Sequence, residues 1–218
     1  MKTIIVRRLQ FDALVPDLEE VSERLDKIRE RGEIDIINWQ NFPNKPDVSF
    51  SIAYTDNELL LKYYVTEEYF RAEKTGTNQE VYEDSCVEFF VSPNSNGIYY
   101  NIEFNGIGTC LMESGTGRSD RKRTDAEIIR SIRRQSSAGS KPVSEKEGLF
   151  SWTITIAIPF NVFFHHELSF LQGETFMANF YKCGDRLRVP HYVTWNPVGT
   201  LKPDFHQPSF FGTLHFES

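Results

Sequence analysis

The distribution of apolar positions divides the chain near residue 35. In "VPDLEEVSERLDKIRERG", Leu18, Val21, Leu25 and Ile28 recur at steps of three and four, which predicts an amphipathic helix. Asp17 stands at its cap, Glu20 at the capping-box position and Gly32 at its expected end. From residue 47 the period becomes two. "DVSFSIAYTDNELLLKYYVTEE" predicts two strands joined at Thr55-Asp56-Asn57, and "SCVEFFVSP", "GIYYNIEFNGIGTCLME", "GLFSWTITIAIP", "ETFMANFYKC" and "FFGTLHFE" predict further strands. "AEIIRSIRRQ" reads as another, and the stretch 114–147 as a long polar excursion. Many short strands with little helix after residue 33 predict an all-β fold, an antiparallel β-sandwich of immunoglobulin-like or jelly-roll-like form with an N-terminal helix. The expected division is an appendage at 1–35 and a sandwich at 36–218.

Composition narrows the function. A net charge of −7 argues against nucleic acid as a partner, because duplex binding relies on Lys and Arg to neutralise phosphates. No apolar run approaches the ~20 residues of a membrane span, and "MKTIIVRRLQF" lacks the long apolar stretch of a signal peptide. The chain as written therefore reads as cytoplasmic, or as exported if a leader has been trimmed. Cys86, Cys110 and Cys183 are odd in number and widely spaced, which predicts buried free thiols rather than a disulfide or zinc framework. The basic segment 118–134 carries interspersed Asp120, Asp125 and Glu127 and reads as a solvated hairpin.

No nucleophile elbow, zinc-protease motif, P-loop or dinucleotide fingerprint is present. The strand faces carry the available chemistry. Alternation groups Cys86, Glu88 and Phe90 on one face of their strand, Tyr99, Asn101 and Glu103 on a second, and Asn179 with Tyr181 on a third. If these faces join, carboxylates and amides lie beside aromatic rings. Sugars are held by such surfaces, because ring faces stack on aromatics while Glu and Asn bond hydroxyls.

The blocks "VYEDSCVEFFVSP", "YYNIEFNGIGT", "WTITIAIPF", "NFYKCGDRLRVPHYVTWNPV" and "PDFHQPSFFGTLHF" resemble, in this order, the family 9 carbohydrate-binding modules, in particular stand-alone members of Bacteroidetes type. The resemblance runs from about Ile36 to the C-terminus. It implies a β-sandwich that binds a mono- or oligosaccharide, often at a chain end between two aromatic plates, in association with xylanases or other glycan-degrading enzymes. No cofactor is required, although some members carry structural calcium. By resemblance Tyr82 stands where the first plate is commonly Trp, Glu88 matches a sugar-contacting carboxylate, Asn101 a ligand-contacting amide and Trp195 the second plate. Glu103 and Asn179 join the candidate set from their strand faces. Two other readings remain. One is a glycoside hydrolase-related enzyme pairing Glu88 with Glu103 or Asp84. The other is a haem protein using Met112 or Met177.

Overall fold

The computed structural model describes residues 1–94 and 96–217. In chain order its elements are β1 (Thr3–Arg8), α1 (Leu18–Asp26), β2 (Gly32–Glu33), β3 (Ile36–Ile37), β4 (Asp47–Tyr54), β5 (Glu58–Ala72), β6 (Cys86–Ser92), β7 (Tyr99–Asn105), β8 (Cys110–Gly115), β9 (Lys122–Arg123), α2 (Ala126–Ser131), β10 (Arg133–Ser136), β11 (Val143–Pro159), β12 (Thr175–Cys183), β13 (Tyr192–Thr194) and β14 (Gly212–Phe216). Two sheets face each other. One runs β10-β11-β5-β4 and the other β14-β12-β6-β7-β8-β9. All pairings within these two runs are antiparallel.

Residues 1–35, expected as an appendage, are woven into this body. Thr3–Val6 of β1 pair parallel with Thr213–Phe216, and Arg7 and Arg8 then pair with Ala53 and Tyr54 of β4. One strand thus joins both sheets. Helix α1 starts as its sequence predicts, with the Asp17 carboxylate accepting from the backbone N–H of Glu19 and Glu20. It ends at Asp26, before Gly32. Gly32 belongs to β2 instead. A Cβ there would lie 2.2 Å from the Phe50 ring, so close approach of strand to aromatic explains this glycine better than a helix cap. Val21 and Leu25 pack on Ala53, Leu60 and Ala157, the outer face of the β4-β5-β11 sheet. Lys62 fastens the helix by bonds to Ser22 and Asp26.

The stretch read as a strand at "AEIIRSIRRQ" is split. Asp125 caps α2 by accepting from the Glu127 N–H, and only Arg133–Ser136 continue as β10. The apolar run Ile128, Ile129, Ile132 suits either period, and the cap decides it. Strand β11 begins inside the expected excursion, at Val143, and register shifts near Lys146 and Glu147 accommodate its polar start.

Between the sheets, Phe50, Tyr63, Phe89, Phe180, Trp152, Ile154 and Ile156 form the main core. One charged pair is buried there. The Lys182 Nζ sits 2.8 Å from the Glu67 carboxylate, which also accepts from the Trp152 indole at 2.7 Å. His191 is held neutral by burial and by the charge of Lys182, and its Nε2 lies 2.9 Å from that ammonium as an acceptor. Removing one member strands the other. Lys182→Met is expected to cost about 3–5 kcal/mol by urea denaturation, and adding Glu67→Gln, which removes the stranded charge and can still accept from the Trp152 indole, should restore most of it. Equal stability of the single variant and the wild type would contradict this account.

Candidate functional site

The far side of the second sheet carries the alternate residues of β12, β6, β7, β8 and β9. Register places Glu88 directly opposite Glu103 and Tyr181, Glu103 opposite Leu111, Asn101 opposite Glu113, and Glu113 opposite Arg123. The three faces expected to combine therefore do so. They are not solvent faces. Segments carrying Trp39, Val81, Val198, Phe205 and Phe211 fold over them and build a second, smaller core with Cys86, Phe90, Tyr99 and Tyr181. One cavity of about 210 Å³ remains beneath this cover. Glu88 and Glu103 line it, with Tyr82, Tyr192 and His206 as half-buried aromatic walls.

Tyr82 is presented by a tight 3-10 turn at Val81–Glu83. Asp84, fully buried, fixes that turn. Its carboxylate accepts from Arg71 Nε, from the backbone N–H of Glu73 and Lys74, and from Asn105 Nδ2. An aspartate engaged by four donors is a structural joint, so the alternative pairing of Glu88 with Asp84 as catalytic carboxylates does not hold.

Burial governs the floor. It pushes the Glu88 carboxyl well above the ordinary range, and the neighbouring Glu103 adds to this. Burial also pushes Glu103 up to about 8, against the opposing effect of Asn101, whose amide donates to Glu103 Oε1 at 2.9 Å. The other oxygen, Oε2, is buried without a hydrogen-bond partner. Burial thus favours the protonated form of both floor carboxyls, in which each can donate as well as accept. Asp185, also lining the cavity, is raised to about 6 by burial, and burial with the nearby Arg121 and Arg118 holds His206 down to about 3.

The other candidates separate. Asn101 lies behind the floor, bonded to Glu103 and Glu113. Asn179 is fully buried elsewhere. Its side chain accepts from the Asn196 and Phe180 N–H and donates to the Asn196 carbonyl, pinning the chain after β13. Trp195, expected as the second plate, is a core residue. It is 2 % exposed and packs edge-on against Phe50 and Phe180 between the sheets. The reason is local. Gly212 lies beneath the indole, where a Cβ would come within 2.5 Å of Cζ3, and Trp195 N–H bonds to the Phe180 carbonyl. Met112 is likewise packed between the sheets.

The basic hairpin after Gly115 supplies a wall that its composition did not reveal. Arg118, Arg121 and Arg123 reach the cavity. Each is paired: Arg118 with Asp204 at 3.1 Å, Arg121 with Glu113, Arg123 with Glu80 at 2.9 Å. Asp120, read as diluting the charge, braces the hairpin by accepting from Thr116 and Gly117.

Among the described residues, one set of three or more His, Cys, Asp or Glu side chains has its ligand atoms all within 4.8 Å of one another: Cys86, Glu88 and Cys183. Calcium takes six to eight oxygens, and a set with two thiols does not fit it.

Comparison with known proteins places this arrangement. No curated protein matches the sequence. A candidate carbohydrate-binding protein from Bacteroides uniformis is 42% identical over 99% of both chains, with a TM-score of 0.95. A family 9 carbohydrate-binding module from Caldicellulosiruptor kristjanssonii shares the fold. It was solved with glucose (TM-score 0.55, 14% identity, 99% of this chain and 96% of that one) and with cellotriose (TM-score 0.57, 14% identity, 99% and 94%). The model of carbohydrate-binding family 9 matches residues 19–216, and the chain belongs to that family.

Proposed function

We propose that the chain binds a mono- or oligosaccharide without turning it over, one ring entering the cavity over Glu88 and Glu103. The observation that carries this reading is the floor itself, two adjacent buried carboxyl side chains lining a cavity that opens between aromatic side chains. Carboxyl side chains at a cavity floor can accept from and, when protonated, donate to sugar hydroxyls. Tyr82 is the plate in this arrangement, with Tyr192 on the β13 side; Phe205 is less available because it already stacks on Tyr181 at 4.1 Å. Family membership supports a role in glycan utilisation. The glucose and cellotriose seen in the Caldicellulosiruptor module support a gluco-configured ligand, and the xylan-type sugar that the resemblance implies is the finer reading to be tested beside it.

The hydrolase alternative is less well served. General acid–base cleavage needs one protonated and one ionised carboxyl, whereas burial shifts Glu88 and Glu103 in the same direction.

Calorimetric titration with glucose, xylose and cellotriose tests the proposal. Tyr82→Ala is expected to lose about 1–2 kcal/mol of binding free energy, roughly 5- to 30-fold in affinity, from lost stacking and contact area. Unchanged affinity in that variant would remove Tyr82 from the site, and absence of heat with every sugar would remove the site.

A further inference from the structure

Sugar binding leaves one feature of the cavity floor unused. Cys86 and Cys183 are directly opposite each other on β6 and β12, and both point to the covered face. Cys183 Sγ lies 3.0 Å from Glu88 Oε1. The two thiols also contact each other, and their other contacts are weak, with carbonyls of Val87 and Tyr82 at 3.7 Å. We propose that Cys86, Cys183 and Glu88 form a binding site for a soft divalent cation of the zinc class, with one coordination position open to the cavity.

The geometry is close to what such an ion needs. Zinc binds thiolate at about 2.3 Å and carboxylate at about 2.0–2.2 Å, so ligand atoms around a tetrahedral ion stand roughly 3.5–3.8 Å apart. The contact at 3.0 Å and the outer limit of 4.8 Å bracket that spacing. Shifts of about 1 Å or less close the set. Three ligands on two paired strands are held at fixed register, as a preformed site requires. Two sulfurs and one oxygen select zinc, cadmium or cobalt over calcium and magnesium, which prefer all-oxygen shells. Access exists, because Cys183 and Glu88 line the cavity. Three protein ligands with a free fourth position is the arrangement of an open rather than a closed zinc site. Cys110 provides a contrast. It is equally buried, but it lies in the core between the sheets, away from this set.

The site shares Glu88 with the sugar reading and does not depend on it, since its readout needs no sugar. The full chain, reduced and stripped of metal, is titrated with Co²⁺ and then with Zn²⁺. One equivalent of cobalt should give thiolate-to-cobalt charge-transfer absorption, and zinc should abolish it. Cys86→Ala and Cys183→Ala should each weaken cobalt binding by at least about 10-fold, and Cys110→Ala should leave it unchanged. Glu88→Gln, which keeps the side-chain volume, should weaken it too. That variant decides the matter if the alanine variants fold poorly. The site is refuted if reduced protein with three titratable thiols shows no such absorption at millimolar cobalt. It is equally refuted if the absorption survives in the Cys86→Ala/Cys183→Ala double variant.

Discussion

Trp195→Ala is expected to lower stability by about 3–5 kcal/mol, the usual cost of truncating a buried tryptophan. For a chain of this length that is on the order of 10 °C in melting temperature. The indole fills the space between Phe50, Phe180 and Gly212, so its removal leaves a cavity between the sheets. Sugar affinity, measured well below the new melting temperature, should change little, because the ring does not line the cavity. A plate at the groove would behave in the opposite way. Its loss would weaken binding and barely move the melting curve. Thermal denaturation alongside calorimetry separates the two, and a stable variant with lost binding would return Trp195 to the site.

The misreading of Trp195 has a physical cause. In sequence the residue lies between polar neighbours and ahead of Pro197, as loop-edge ligand contacts often do. Its burial depends on partners far away in the chain, Phe50 on β4 and Gly212 on β14, and no local pattern encodes their approach. Strand alternation is local, and it was informative. It grouped Cys86 with Glu88 and Asn101 with Glu103, and pairing of β6 with β7 brings these groups to one surface. Alternation says nothing of what covers a face, so the depth of Glu88 and the shifted carboxyls were not legible. The role of the hairpin arginines is hidden from the sequence for a similar reason. Their partners Glu113, Glu80 and Asp204 come from three separate segments, and only those ion pairs turn a polar excursion into a cavity wall. The helix cap at Asp17 needs no distant partner, and the local sequence alone specifies it.

The buried carboxyls make the second large effect one of pH. Glu103 moves from an ordinary value of 4.5 to about 8 in the folded chain. The folded state therefore binds a proton that the unfolded state has released, over the window between those values. Stability must fall as pH rises through that window: the contribution is complete below about 4.5 and is lost by about 8. At 1.36 kcal/mol for each pH step, Glu103 alone sets a ceiling of about 5 kcal/mol. Glu88, raised by the same burial, contributes in the same direction, and so does Asp185 between 3.8 and about 6. Urea denaturation of the sugar-free chain from pH 5 to pH 9 should show this loss. Glu103→Gln should flatten much of the slope, because the amide stays neutral and its carbonyl can still accept from Asn101. At pH 9 the variant should then be more stable than the wild type. At pH 5, where the wild-type carboxyl is protonated, the two should lie close together. A wild-type profile that is flat across this range, or a variant with the wild-type slope, would mean that the floor carboxyls are solvated and ionised. A floor of protonated carboxyls would then cease to be an argument for a ligand.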